Sequence, residues 1–327
     1  MTKRSFLYDS TGSSVTDEVL EGWAVELLSR EEEQESHAVP MAEPERSEGK
    51  ELKQESCHHI SEVNQEAAGN MNRGLLKVRT HYGYEGWLRM DEAAFKEIEE
   101  SGLESRQQEP LYVIDLPFAD VLSQSRVQGT ILRTLSRGSF VTLLGRAEDH
   151  YCRIRTAGGI EGYIPEHALT PRLDSDGYLL AGRWLPLNLS VGKPKIKEEE
   201  LRRRIIDNAM KWLGTGYRWG GHSGQGIDCS GLSLMSYMMS GILIWRDAEI
   251  VNGWPIHPIP FEKRKPGDLL YFPGHVAICL GGSRIIHSTG YYRNFGVCIN
   301  TLDPSDTDVP CRADLAEKCL GAGSIFT

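Results

Sequence analysis

The chemistry of this chain is organised around Cys229, in the run Asp228-Cys229-Ser230-Gly231, behind a glycine-rich stretch that begins Tyr217-Arg218-Trp219-Gly220-Gly221. A free thiol is mostly protonated at neutral pH, and the thiolate is the nucleophile. Two devices lower a thiol's pKa: the positive end of a helix, and a neighbouring imidazolium. Cys229 has the first by position, because Gly226-Ile227-Asp228 lead into it and apolar periodicity starts just after it. The second needs a histidine brought close by folding. His275 opens a strand-like run after the turn Phe272-Pro273-Gly274, and His287 closes the next run. A polar residue at that second position can hold the first imidazole in the useful tautomer. Taken singly, a cysteine at a helix start is more often a small buried hydrophobe, and a lone histidine more often structural. The order Cys, His, His suggests a thiol hydrolase without deciding it. His81, His150, His167, His222 and His257 read as surface or loop residues.

The elements that must position these groups are visible around them. Leu201, Ile205, Ala209 and Trp212 recur at helical spacing within Glu198–Leu213, and Leu232, Met235, Met239 and Ile242 do so after Cys229. Strand-like runs follow at Asp268–Phe272, His275–Leu280 and Arg284–His287. A helix carrying a thiol, followed by an antiparallel sheet carrying histidines, is the α+β plan of papain-like enzymes.

The first half contains an internal repeat. Lys77-Val78-Arg79-Thr80-His81-Tyr82-Gly83-Tyr84-Glu85-Gly86-Trp87-Leu88 recurs as Arg153-Ile154-Arg155-Thr156-Ala157-Gly158-Gly159-Ile160-Glu161-Gly162-Tyr163-Ile164. Each copy alternates apolar and polar residues, turns at glycine and resumes with an aromatic strand, which predicts a β-hairpin. Earlier strand-like runs, Trp23–Leu28 and Phe140–Leu144, complete the pattern of two small β-barrels.

At 327 residues the chain has room for two or three domains, and 40% hydrophobic and 25% charged residues are ordinary for a globular protein. The net charge of −10 is concentrated between Arg30 and Glu66, where eleven Glu stand against four Lys or Arg. The remainder offers no basic surface for nucleic acid. The acidic stretch, about residues 30–72, with Pro40 and Pro44, reads as a solvated, disordered insertion. Its Cys57-His58-His59 cluster lacks the further ligands of a recognisable metal set, so no metal is assigned. No apolar run is long enough to span a membrane, and no apolar segment follows Lys3-Arg4 as in a secretory signal. Seven scattered cysteines favour reduced thiols, which with the missing signal points to the cytoplasm.

The region 196–327 resembles the NlpC/P60 family of cell-wall cysteine peptidases. The resemblance rests on Tyr217-Arg218-Trp219-Gly220-Gly221, Asp228-Cys229-Ser230-Gly231, Lys265-Pro266-Gly267-Asp268-Leu269, His275-Val276-Ala277-Ile278 and Ile286-His287-Ser288, in the family's order. It implies Cys229 as nucleophile, His275 as base, His287 as orienting residue, and Tyr217 as a hydroxyl that completes an oxyanion hole with the Cys229 N–H. The repeat is similar to bacterial SH3 (SH3b) domains, with spans of about 10–100 and 108–172 and a linker at 173–195. The combination resembles γ-D-glutamyl-L-diamino-acid endopeptidases, which trim murein peptides bearing a free N-terminal L-Ala and need no cofactor. In them the first barrel leans over the cleft. By that likeness Asp228 and Tyr84 meet the substrate ammonium, while Ser230, Arg246 and Asp247 line the pocket, with Arg246 forked onto the D-Glu carboxylate. Glu21 is a doubtful match for a further family glutamate, whose place Trp23 fills. Two other readings stay open: a wall-binding module with an inert third domain, and a thiol amidase or acyltransferase on the same fold.

Overall fold

The computed structural model describes residues 1, 3–30, 74–96, 102, 105–106, 108–172 and 196–326. The acidic insertion with Cys57-His58-His59 and the linker at 173–195 lie outside the described residues.

Five strands form the first sheet: β1 (Ser5–Tyr8), β2 (Val15–Val19), β3 (Val25–Arg30), β4 (Leu75–Thr80) and β5 (Glu85–Arg89), in the order β2-β1-β5-β4-β3. Seven form the second: β6 (Leu111–Ile114), β7 (Phe118–Leu122), β8 (Ile131–Ser136), β9 (Phe140–Arg146), β10 (Tyr151–Thr156), β11 (Glu161–Pro165) and β12 (Leu169–Pro171), in the order β12-β6-β9-β10-β11-β7-β8. The repeat is the same hairpin twice. Arg79 pairs with Glu85 and Lys77 with Trp87 in β4–β5; Arg155 pairs with Glu161 and Arg153 with Tyr163 in β10–β11. The threonine of each copy stabilises its turn: the Tyr84 N–H donates to Thr80 Oγ1 at 3.1 Å and the Ile160 N–H to Thr156 Oγ1 at 3.3 Å. The recurring Gly86 and Gly162 answer to close packing. A Cβ there would lie 2.9 Å from Leu7 Cβ and 2.6 Å from the Leu122 carbonyl oxygen, respectively.

The remaining elements are α1 (Glu198–Met210), β13 (His222–Ser223), β14 (Gly226–Ile227), α2 (Cys229–Met238), β15 (His257–Ile259), β16 (Leu269–Phe272), β17 (His275–Gly281), β18 (Arg284–Thr289), β19 (Gly296–Thr301), α3 (Ala313–Glu317) and β20 (Gly321–Ser324). A six-stranded sheet, β15-β20-β16-β17-β18-β19, carries α2 against β17 and β18, with α1 packed beside α2. Both predicted helices are present. The second ends at Met238 rather than running to Ile242, because the chain turns at Gly241 with φ 84°.

Trp23 starts no strand. It is buried, donates from Nε1 to the Gly138 carbonyl of the second sheet at 2.9 Å, and stands edge-on to His81. The first sheet shares one apolar core with the C-terminal unit, from Leu7, Val19 and Trp23 through to Leu232 and Met235. Most of the second sheet closes on a separate core of its own, built on Val121, Val141, Ile154 and Ile164. It is pinned to α1 through Arg137, whose guanidinium donates to the Asn208 carbonyl at 2.7 Å and to Asp115 at 2.8 Å. No helix among the described residues is long and apolar enough to cross a membrane.

Candidate active site

The start of α2 is fixed by Asp228. Its extended backbone makes it the N-cap, and Oδ1 accepts the Gly231 N–H at 2.6 Å. Oδ2 accepts the Gly220 N–H at 2.8 Å, which ties the Trp219-Gly220-Gly221 loop to the same point. Cys229 is therefore the first helical residue, and its thiol is buried. Burial pushes its pKa up to about 11, Asp228 adds to the rise, and the N–H groups of Val276 and Ser230 and the charge of Arg246 pull the other way. The expected lowering of the thiol pKa is thus not met in the substrate-free protein. Desolvation of the thiolate outweighs what the helix end and nearby donors return.

The Val276 N–H that reaches the sulfur belongs to the residue after His275, so the first residue of β17 lies beside the thiol. His275 Nε2 is 2.7 Å from His287 Nδ1, and His287 Nε2 is 2.8 Å from Asn300 Oδ1. Asn300, on β19, was not singled out in the sequence. It is a buried polar residue in a strand with no local mark of its own. Burial lowers the His275 pKa to about 3, with His287 adding to the fall, and burial lowers His287 to about 4. At neutral pH the site rests as a thiol beside two neutral imidazoles. Any attack by the thiol would then require its proton to leave in the same step. Tyr217 is half-buried, and burial raises its hydroxyl pKa, with the charges of Cys229 and Asp228 adding to the rise, so it stays a donor.

Arg246 departs from expectation. It is enclosed, and four of its five N–H donors are engaged: Nε to Asp17 at 2.6 Å, Nη1 to Asp228 at 3.1 Å and to Ser230 Oγ at 2.7 Å, Nη2 to Asp228 at 3.0 Å. Burial opposes its charge, but Asp228 and Asp17 outweigh burial and hold the guanidinium protonated. A fork onto a substrate carboxylate is replaced by a fork onto the protein's own carboxylates. Asp228 and Ser230 are likewise engaged, as parts of this network.

Asp17 comes from β2 of the first sheet and also accepts from the Tyr82 hydroxyl. Its neighbour Glu18 accepts the His222 N–H at 2.8 Å. His81 and His222, expected as surface or loop residues, are both buried against Trp23, His81 within the β4–β5 turn. Burial lowers their pKa values to about 3 and about 4. Asp17 was not legible because its partner Arg246 lies 229 positions away. Glu21 is buried and faces Arg133 of the second sheet at 3.5 Å.

Beside Cys229 opens a recess lined by Ser230, Trp245, Asp247, Glu249, Trp254 and Tyr271. Tyr84 reaches toward it from the first sheet, with its ring 5.9 Å from that of Trp245. Burial raises the Tyr84 pKa to about 12, and Asp247 contributes next. Burial also raises Asp247 to about 6, helped by Asp17, Glu249 and Asp228 against Arg246. A buried Arg246 among Asp17, Asp228 and Asp247 leaves the surroundings of Tyr84 net negative. Among the described residues no group of His, Cys, Asp and Glu is arranged to hold a metal ion.

The family model for NlpC/P60 matches residues 214–302, which span the Tyr217 loop, Cys229, His275, His287 and Asn300. A dipeptidyl-peptidase 6 of Lysinibacillus sphaericus is 33% identical over 255 residues, 77% of this chain and 84% of that protein. The chain belongs to the NlpC/P60 family. A γ-D-glutamyl-L-lysine dipeptidyl-peptidase of Bacillus subtilis strain 168 is 33% identical over 105 residues, 29% of this chain and 34% of that protein. An NlpC/P60 family protein of Bacillus cereus ATCC 10987, known as a crystal structure, shares the fold at 22% identity and a TM-score of 0.54, covering 76% of this chain and 75% of that one. That coverage extends beyond the 89 residues of the NlpC/P60 match, so the likeness includes much of the β-rich N-terminal half.

Proposed function

We propose that this NlpC/P60 protein is a cysteine endopeptidase that hydrolyses the bond between γ-D-Glu and the diamino acid of murein peptides with a free N-terminal L-Ala. The two N-terminal sheets are read as SH3b-type modules, the first of which closes the substrate-binding end of the cleft. The observation that carries the reading is the Cys229 thiol at the start of α2, reached by the N–H of the residue after His275, with His275 hydrogen-bonded to His287 and a recess beside Ser230 walled by Asp247 and Glu249. The names of the relatives, dipeptidyl-peptidase 6 and γ-D-glutamyl-L-lysine dipeptidyl-peptidase, agree with it.

In this mechanism the Cys229 sulfur attacks the γ-carbonyl carbon as its proton passes to His275. The developing oxyanion meets the Cys229 N–H and the Tyr217 hydroxyl, donors aimed at charge that appears only in the transition state. His275 returns the proton to the leaving amine, and water hydrolyses the thioester. Asp247 and Tyr84 receive the substrate ammonium, with the Asp17–Arg246–Asp228 network fixing the wall behind them. Because Arg246 is already paired, its role in the proposal is to hold the first sheet against α2 rather than to grip substrate. A protein acting on imported wall peptides in the cytoplasm would serve their recycling.

The test is product analysis by mass spectrometry on L-Ala-γ-D-Glu-diamino acid. The reading predicts release of the diamino acid by the native chain and none by Cys229→Ala. Equal turnover by Cys229→Ala contradicts a thiol mechanism, and transfer of the acyl group to an added amine without hydrolysis makes the chain an acyltransferase.

A further inference from the structure

We propose that Asn300, held by the Pro310 carbonyl, sets the proton positions of the histidine pair and so decides which nitrogen of His275 acts as base. The proposal rests on the reading of Cys229 and His275 as nucleophile and base. It adds a positioning residue that does not itself touch the reacting atoms.

Pro310 fixes the orientation of the Asn300 amide. A carbonyl oxygen can only accept, so the Asn300 side-chain nitrogen, 2.8 Å from it, must be the atom that faces it. The Thr301 N–H donates to the same carbonyl at 3.1 Å, which fixes the Pro310 segment against β19. The Asn300 amide cannot turn over without setting two oxygens against each other. Oδ1 is therefore locked toward His287 and acts as an acceptor. The Cys298 thiol, 3.3 Å from Oδ1, is consistent with this as a second donor.

An acceptor at 2.8 Å from His287 Nε2 requires that nitrogen to carry the proton. A neutral His287 then has a bare Nδ1. That lone pair, 2.7 Å from His275 Nε2, requires the proton of His275 to sit on Nε2. The only site left bare on a neutral His275 is Nδ1. Its lone pair is the base that takes the thiol proton, after which the imidazolium keeps its Nε2–H bonded to His287. One proton moves, from Cys229 Sγ to His275 Nδ1, and none travels along the chain of rings. Without Asn300 the His287 proton is free to shift to Nδ1. That proton would face His275 Nε2–H and drive the His275 proton onto Nδ1, where it blocks the thiol.

Nitrogen-15 NMR of the histidine rings in the native full-length protein tests the assignment directly. It should show both His275 and His287 protonated at Nε2 and bare at Nδ1 near pH 7. A proton on His275 Nδ1 would overturn the proposal. Variants supply the functional readout through alkylation of Cys229 by iodoacetamide, which needs no peptide substrate. Asn300→Ala should slow alkylation at pH 7 on the order of 10²-fold, short of the roughly 10⁴-fold that a wrong tautomer costs a serine triad. Asn300→Asp, as the protonated acid that this buried position favours, keeps an oxygen toward His287 and an O–H toward the Pro310 carbonyl, and should restore the rate to within about tenfold of the native protein. Equal loss in both variants, or no loss in Asn300→Ala, contradicts the proposal. If Asn300→Ala does not fold, the ring NMR and Asn300→Asp still decide. Failure to cleave murein peptides while these signatures hold would count against the proposed function and leave the tautomer relay standing.

Discussion

The β4–β5 and β10–β11 hairpins share a register, a turn-stabilising threonine and a close-packed glycine, yet their turns meet different fates. In the first copy the turn carries His81, Tyr82 and Tyr84: Tyr82 bonds Asp17 of β2 and His81 packs on Trp23, both within the N-terminal unit, while Tyr84 meets Trp245 of the C-terminal unit. In the second copy the aligned residues are Ala157, Gly158 and Ile160, none of them fully buried. The scaffold is thus separable from the chemistry. Strand pairing needs the alternation and the glycines, which both copies keep, whereas the site needs three ring-bearing residues, which only one copy has.

The sharpest way to break this comparison is to disturb what the first copy anchors. Asp17→Ala leaves Arg246 buried with Asp228 as its sole carboxylate partner and the Tyr82 hydroxyl without its acceptor. A loss of about 3–5 kcal/mol in denaturant unfolding is expected, the cost of breaking a buried ion pair from one side. The equivalent disturbance of the second copy, removal of the exposed Arg153–Glu161 pair, should cost no more than about 1 kcal/mol.

A second effect comes from pH. His81, His222, His275 and His287 all have folded pKa values pushed below the ordinary 6.5, to about 3, 4, 3 and 4. Between about 6.5 and 4 the unfolded chain binds protons that the folded chain refuses, so stability falls as pH drops through that window. Asp247, raised to about 6, and Asp17 and Glu21, both raised chiefly by burial, act in the opposite sense and offset part of the fall. Unfolding temperatures measured from pH 7.5 to 4 should decline, and a Tm that rises on acidification would contradict the burial of these rings.

Exchanging the two turns gives the most specific result. Tyr84→Ile places the second copy's residue in the first, where it should lower kcat/KM about 10- to 100-fold, mainly through KM, with little change in stability. Ile160→Tyr should change neither activity nor stability beyond about 0.5 kcal/mol. Equal effects from the two exchanges would remove the distinction between the copies.

Much of this was legible because it is local. Alternation and glycine punctuation mark the hairpins, and the apolar stripe after Cys229 marks α2, whose burial fixes the thiol at a helix start. His275 could be read because it opens β17 beside its own turn, whereas His287, expected to close its strand, lies inside β18 with Ser288 and Thr289 after it. What stayed hidden is long-range. Nothing near Asp17 signals that its partner is Arg246, and nothing near Asn300 marks it as the acceptor for His287. Arg246 belongs with them: an arginine near a cleft suggests a ligand carboxylate, and only the fold shows Asp17 and Asp228 on it. The thiol's raised pKa was also beyond the sequence, since it depends on burial rather than on position in the helix.

The central claim is that the first sheet makes a thiol peptidase selective for a free N-terminus. It is tested most directly by comparing kcat/KM for L-Ala-γ-D-Glu-diamino acid with that for its N-acetylated form. The account predicts that acetylation lowers kcat/KM by about 10²-fold or more, because it removes the charge that the net-negative recess receives. Equal cleavage of the two peptides would contradict it.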